Sequence, residues 1–366
     1  MNGAVRAIEQ SQRADAFAQR FGLHLPLLLA PMAGVPAVPL SAAVAQVGGM
    51  AALGALLFDP PAIADWVARF RAAGGGPLQI NLWVPDPPPR RDNAHEAALR
   101  EFLGRHGPAV PTSAGDAALV DFASQCDAVL AARPAVVSSI MGLYPAPFVR
   151  RLKDADIAWM ANVTSVAEAQ LALAAGADVL VAQGSEAGGH RGAFEASRAR
   201  DAAVGLFALL PQVVDVAGKV PVVATGGIAD ARGVAAALML GASAVQIGTA
   251  FLRCPEAGIA PAWAAGLAAL APEGTQLTRA FSGRWGRGIA TDYVRAAADP
   301  AAPEPAPYPV QRGLTATMRK AAEAAGDLQH MQAWSGQGVG LVRGSPAAAE
   351  WSTALWAETR ALLGVA

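Results

Sequence analysis

Cysteine is nearly missing from this chain: Cys126 and Cys254 are the only two among 366 residues, and they stand in neither a CxxC nor a zinc-ligand spacing. A disulfide framework and a bound metal are therefore not expected, and a reducing compartment fits. Charge is scarce as well. Charged residues make up 16% of the chain, against roughly a quarter in an average soluble protein, and the 28 basic and 29 acidic residues leave a net charge of −1. That balance offers no electrostatic footprint for nucleic acid or an anionic membrane surface. Aromatic residues are only 6% while hydrophobic ones reach 53%, so the core must be built largely of small aliphatic side chains.

Uninterrupted hydrophobic runs are also absent. Residues 25–58 and 233–252 carry no charge, and a spanning helix needs roughly 20 apolar residues. The first is cut by Pro26, Pro31, Pro36, Pro39 and the Gly48-Gly49 pair, and the second breaks at Gly241 into a helix-like and a strand-like half. No membrane span is expected. Residues 1–20 scatter Arg6, Glu9, Arg13, Asp15 and Arg20 among alanines and contain no apolar secretory segment, which predicts a cytoplasmic protein.

What the chain does have is alternation. Short apolar runs, each followed by Gly/Pro punctuation and an Ala-rich helical stretch, predict strands at 27–31, 51–55, 78–84, 135–140, 157–162, 179–183, 221–225 and 244–248. Helices are expected at 39–47, 61–73, 115–132, 146–153, 165–175, 202–217 and 229–240. Eight such units suit a closed α/β TIM (β/α)8 barrel over residues 1–252, with a doubly wound sheet as the alternative. Residues 85–111 form a proline-dense insertion with a helix at 93–103, read as a lid or subdomain. Residues 253–366, with helical segments at 262–270, 316–325 and 348–363, are expected to form a second, smaller, mainly helical lobe covering the active site.

The glycines suggest an anion site. Strand seven ends in VVATGGI and strand eight in VQIGTAF; in a barrel these ends are neighbours, where freed N–H groups of Gly226, Gly227 and Gly248 and the Thr249 hydroxyl can cradle a phosphate. Tight strand-to-helix turns would use the same glycines. Strand six ends in AQGSEAGGHRG. Gly188 and Gly189 permit close approach to a flat ligand, Gln183 can donate to and accept from a heterocycle, and His190 can serve as a base or as a donor to an anion. Strand one ends in LLLAPMAGVP, whose prolines leave backbone groups unpaired at the mouth, and Asn81 is either a satisfied core amide or a ligand contact.

These residues lie within longer segments: PMAGVP followed by VAQVGGMAALGA, QINLWVP, MGLYP, NVTSVAEAQLALAAGADVLVAQGSEAGGHRG, PVVATGGIADARGVAAALMLGASAVQIGTAFL, FSGRWGRG, YPVQRGLT and WSGQGVGLVR. In them the chain resembles the class I nitronate monooxygenases, formerly called 2-nitropropane dioxygenases, from about residue 27 to 345. The resemblance implies a TIM barrel holding FMN, with contacts from Ala30, Pro31, Met32, Asn81, Gln183, Gly188, Gly227, Gln246, Gly248, Thr249, Ala250 and Phe251, and His190 as the catalytic residue. It further implies oxidation of a small-molecule nitronate, such as propionate 3-nitronate, by dioxygen to a carbonyl compound and nitrite.

Tyr308 in YPVQ and Tyr144 after strand four are candidate substrate contacts or packed aromatics, and Arg191 and Lys320 are candidate cations for an acidic substrate or solvated surface groups. The insertion VPDPPPRR and the segment WGRGIATDYV depart from the family pattern, which leaves substrate size and lid behaviour open. Rival readings are an NADH:quinone reductase or enoyl-acyl-carrier-protein reductase on the same barrel, and a non-catalytic flavin-binding protein. A monomer or homodimer is expected.

Overall fold

The computed structural model describes residues 3–365, with side chains from residue 11 onward. Its framework is a ring of parallel strands: β1 (Leu27–Leu29), β2 (Ala51–Gly54), β3 (Leu78–Trp83), β4 (Val136–Ile140), β5 (Ala158–Val163) and β6 (Val179–Gln183), then, after a two-residue strand β7 (Gly189–His190) outside the ring, β8 (Val222–Thr225) and β9 (Ala244–Ile247). Hydrogen bonding runs β1-β9-β8-β6-β5-β4-β3-β2, and a bridge between Leu28 and Met50 joins the two ends. This is the TIM barrel and not the doubly wound sheet. Around it, in chain order, run α1 (Gly3–Phe21), α2 (Val38–Gln46), α3 (Pro60–Ala72), α4 (Asn93–Leu103), α5 (Phe122–Ala132), α6 (Ala146–Asp154), α7 (Val166–Ala174), α8 (Leu206–Ala217) and α9 (Ala231–Met239). The side chains of Asp59, Asp121, Ser165 and Asp230 accept backbone N–H groups at the starts of α3, α5, α7 and α9, so the turns into these helices are fixed locally.

The strand period of two divides the barrel interior into layers. Leu28, Met50, Val136, Met160, Val181, Val223 and Ala244 form one apolar cluster, closed from below by Phe17 and Ala18 of α1 and by Leu23. Two residues further along five of these strands stand Ser138, Asn162, Gln183, Thr225 and Gln246, all buried polar residues. Asn81 of β3 joins them in lining one cavity. Each strand therefore changes from packing to chemistry within one step of its own alternation.

The helix expected over 115–132 is shorter, because residues 112–116 form a 3-10 turn and α5 starts only after its Asp121 cap. Helix α1 was not expected.

After β9 come α10 (Pro261–Ala268), the antiparallel pair β10 (Thr275–Thr278) and β11 (Gly286–Ile289), α11 (Asp292–Ala296), α12 (Val310–Leu314), α13 (Ala316–Ala325) and α14 (Ala348–Leu363). The division at residue 252 does not follow the packing. Helix α14 lies against α9 and α2, in the outer helical ring, with Trp351 edge-on to Phe251 at 4.9 Å. The covering lobe is the stretch between β9 and α14, and it is not purely helical: β11 pairs with β7, setting Gly286 opposite His190 and Arg287 opposite Gly189. Nor does α4 stand alone as a lid, since Leu99 and Leu103 share a core with Tyr293, Val310, Leu314 and Met318 of that lobe. No helix among the described residues is long and apolar enough to cross a membrane.

Candidate active site

A cavity of about 280 Å³ lies at the C-terminal mouth of the barrel, beneath the lobe. The strand ends supply its floor, and Tyr308, Arg312, Arg319, Gln332, Trp334, Gly336 and Gly338 come from the lobe. Its wall contains two arginines and, among the described residues, no Asp or Glu. Of the residues singled out in the sequence, Ala30, Pro31, Met32, Asn81, Gln183, Gly188, Gly189, His190, Gly226, Gly227, Gln246, Gly248, Thr249, Ala250 and Tyr308 all line it.

One end is a backbone cradle. Gly226 and Gly227 follow β8 with φ of 116° and 70°, a left-handed turn that side chains resist. Neither N–H donates to another backbone group among the described residues. The segment 335–338 crosses above them: Gly336 N–H donates to Thr249 Oγ1 at 2.9 Å, and Gln337 N–H donates to the Glu186 carbonyl at 3.0 Å. Since the Thr249 oxygen accepts, its own proton remains available to an anion. The approach is tight: a Cβ on Gly338 would stand 2.4 Å from the Gly227 oxygen, and one on Gly188 2.4 Å from Gly336 N. Glu186 serves the frame instead, accepting the Leu206 N–H at the start of α8.

The polar ring at the strand ends is only partly satisfied from within. Asn81 donates to Ser138, and Gln79 Nε2 donates to the Leu29 carbonyl at 2.8 Å and to Gln246 Oε1 at 3.1 Å. Gln183 Nε2 donates to the His190 carbonyl at 3.0 Å while its Oε1 accepts Gly192 N–H at 2.8 Å, so its amide shapes the 189–192 loop. Three residues of the cavity wall carry a buried polar atom without a partner: Asn162 Nδ2, Trp263 Nε1 and the Tyr308 hydroxyl. Buried polar atoms cost about 1–3 kcal/mol each when unpaired, so this set indicates a polar guest.

His190 stands in the cavity wall, held between Trp83 and Trp334, whose ring centroids lie 4.7 and 4.8 Å away, both edge-on. Its Nε2 is 2.7 Å from Ser282 Oγ. Burial first, and the positive charges of Arg284 and Arg312 second, push its pKa down to about 3, so the ring is neutral at physiological pH. Its remaining exposure is onto the cavity. Arg284 is itself buried and paired with Asp86, 2.8 Å from Nε to Oδ2, which ties the Ser282 turn to the loop after β3.

Three expectations place differently, and one alternative is decided. Tyr144 is 3% exposed and off the cavity; its hydroxyl donates to the Ser138 carbonyl at 2.7 Å and its ring packs among Phe122, Phe148 and Trp159. Arg191 is neither solvated nor at the cavity: it is buried, donates to the Gly184 carbonyl at 2.6 Å, and braces the loop from behind. Lys320 is exposed and off the wall, which decides for the solvated surface group over the substrate cation. Phe251 points outward to α14.

Sequence reasoning missed Trp83, Ser282, Trp334, Arg312, Arg319 and Asn162. Ser282 and Trp334 lay in FSGRWGRG and WSGQG, but nothing in their spacing joins them to His190, which precedes Ser282 by 92 positions and Trp334 by still more.

The family profile described as nitronate monooxygenase matches residues 18–358. A nitronate monooxygenase of Pseudomonas aeruginosa is 38% identical over 342 residues, covering 91% of this chain and 96% of that protein. One from Paraburkholderia phytofirmans is 37% identical over 333 residues, covering 89% and 90%. Among solved structures, the nitroalkane oxidase from Streptomyces ansochromogenes superposes with a TM-score of 0.84 at 35% identity, covering 94% of this chain and 99% of that one. FabK from Thermotoga maritima, at 24% identity and a TM-score of 0.75 over 95% and 97% of the two chains, shares the fold.

Proposed function

This chain belongs to the nitronate monooxygenase family, and on that premise we propose that it is an FMN-dependent enzyme converting alkyl nitronates and dioxygen into carbonyl compounds and nitrite. One observation carries the reading to these residues: a neutral imidazole, oriented by Ser282, faces an acid-free cavity rimmed by unsatisfied polar groups.

The residues fit the cofactor. A phosphate suits the unengaged N–H groups of Gly226 and Gly227, the Thr249 hydroxyl and the backbone at Gly248 and Ala250, while Phe251 anchors that turn from behind. The ring system suits the floor formed by Ala30, Pro31, Met32, Asn81, Gln183, Gly188, Gly189 and Gln246. FMN supplies the redox chemistry when bound, taking electrons from the nitronate and delivering them to dioxygen.

The chain's own residues bind, orient and move a proton. Ser282 Oγ lies 2.7 Å from His190 Nε2 and 3.2 Å from the Arg284 carbonyl; in the tautomer in which the hydroxyl donates to that carbonyl, it accepts from His190 Nε2–H and the basic lone pair is on Nδ1. The neutral imidazole can take the α-proton of a neutral nitroalkane only because the nitronate formed beside it is an anion, which favours the imidazolium against the burial and the positive charges of Arg284 and Arg312 that hold its pKa down. For a preformed nitronate no proton need move, and the Tyr308 hydroxyl and Arg312 supply the donors to its oxygens. The tryptophans beside His190 keep water from the reacting edge. We place the protein in the cytoplasm, as a monomer or homodimer.

The test begins with the visible spectrum of the purified protein. Flavin bands released on heating are expected. Anaerobic mixing with propyl-1-nitronate should bleach them, and air should then yield nitrite in proportion to the nitronate consumed. Bleaching by NADH but not by the nitronate would replace this reading with a reductase.

A further inference from the structure

One amide of the cavity floor has been given no task. Of the Asn and Gln side chains that line the cavity, Asn81, Gln183, Gln246 and Gln332 each donate to or accept from another group of the protein. Asn162 enters no side-chain hydrogen bond among the described residues, although it is only 7% exposed and its Nδ2 is fully covered. That nitrogen occupies the room that Gly192 leaves: a Cβ on Gly192 would stand 2.0 Å from it. Burying an amide donor with nothing to receive its protons is costly, and only an acceptor brought by a guest removes the cost. A leucine would fill the same space without that penalty.

Register identifies which part of the guest meets it. Asn81 of β3 pairs with Ser138 of β4, and Asn162 stands two residues beyond Met160, the partner of Ser138 on β5, so it keeps the same side of the sheet. Ser138 Oγ accepts from Asn81 Nδ2 at 3.0 Å and keeps its own proton free. These strands therefore present a continuous polar arc to the cavity, whereas the loops after β1 and β2 present Val35, Leu56 and Leu57. An isoalloxazine is divided in the same way, with a dimethylbenzene at one end and a cyclic imide at the other. The imide end suits the polar arc. Its carbonyls gain negative charge when the ring is reduced, and a hydrogen bond to a charged acceptor is roughly twice as strong as one to a neutral acceptor. A donor placed there holds the reduced ring more tightly than the oxidised one.

We infer that Asn162 donates from Nδ2 to the imide end of the FMN ring, fixing which way round the ring lies and raising its reduction potential. The inference rests on the FMN reading proposed above, to which it adds a donor from β5.

Asn162→Leu keeps the shape of the side chain and removes the donor. Three measurements read it: FMN affinity of the apoprotein by fluorescence quenching, midpoint potential of the holoprotein by anaerobic titration against a reference dye, and apoprotein stability in urea. Oxidised FMN should bind several-fold more weakly and reduced FMN about tenfold more weakly still, which lowers the two-electron midpoint by about 30 mV. The urea midpoint of the apoprotein should hold or rise, because an unpartnered buried amide has gone. Asn162→Ala should lower the potential in the same direction, and it carries the test if the leucine variant does not fold. An unchanged potential overturns the role of Asn162 even where FMN affinity falls, since lost packing weakens both forms of the cofactor equally. Lower apoprotein stability in Asn162→Leu also counts against it, because the amide would then serve the fold. A wild type that takes up no FMN sinks the cofactor reading itself and this inference with it.

Discussion

His190 Nε2 lies 2.7 Å from Ser282 Oγ, although 91 residues separate the two in the chain. The contact is made possible by β11, which pairs Gly286 with His190 and so carries the Ser282 turn against the imidazole. Orientation of this imidazole is thus a property of the covering lobe and not of the barrel.

Removing that hydroxyl should leave the imidazole packed between Trp83 and Trp334 but without its hydrogen-bond partner at Nε2. Ser282→Ala is expected to lower kcat with a neutral nitroalkane about tenfold, and His190→Asn to lower it by about 10²–10⁴. With preformed nitronate both losses should be much smaller. Steady-state kinetics on 1-nitropropane and its nitronate check this; equal losses on the two substrates would confine His190 to binding.

The pH dependence follows from the same environment. The unfolded ring takes its proton near 6.5 and the folded one only near 3, so the folded state loses stability as pH falls through that window. No loss of kcat/KM from His190 protonation is expected around pH 6.5; a limb there would show that the ring is more solvated than described. Arg312→Gln removes one of the cations opposing protonation, so the His190 pKa should rise, which an NMR titration of the imidazole reads directly.

The crossing at Gly338 cannot accommodate a side chain, because its Cβ would meet the Gly227 carbonyl oxygen at 2.4 Å and both partners are backbone. Gly338→Ala should displace the 335–338 segment and weaken FMN binding by roughly tenfold, the equivalent of about 1.4 kcal/mol. Equilibrium quenching of FMN fluorescence by the apoprotein measures it; unchanged affinity would remove that segment from the cofactor site.

The two tyrosines should separate cleanly. Tyr144→Phe deletes a hydrogen bond to the Ser138 carbonyl in the core and should cost about 1 kcal/mol in urea unfolding, with KM and kcat unchanged. Tyr308→Phe deletes an unpartnered hydroxyl, so stability should hold or rise while KM for a nitronate rises several-fold. The reverse pattern would place the substrate on the wrong side of β4.

The amino-acid order by itself determined the barrel, because the period of two in each strand and the Gly/Pro punctuation after it are local properties, legible one unit at a time. It also located the TGGI, GTAF and GGH strand ends, since a (β/α)8 ring must gather all its C-terminal strand ends at one mouth. Only the tertiary structure decided what closes that mouth. Ser282, Trp334 and Arg312 reach the cavity through an antiparallel pairing and a long excursion between β9 and α14, contacts across many tens of residues that no local periodicity encodes. The same physics removed Tyr144 and Arg191 from the site: both follow a barrel strand at a plausible distance, but packing turned one into the core and the other behind its own loop.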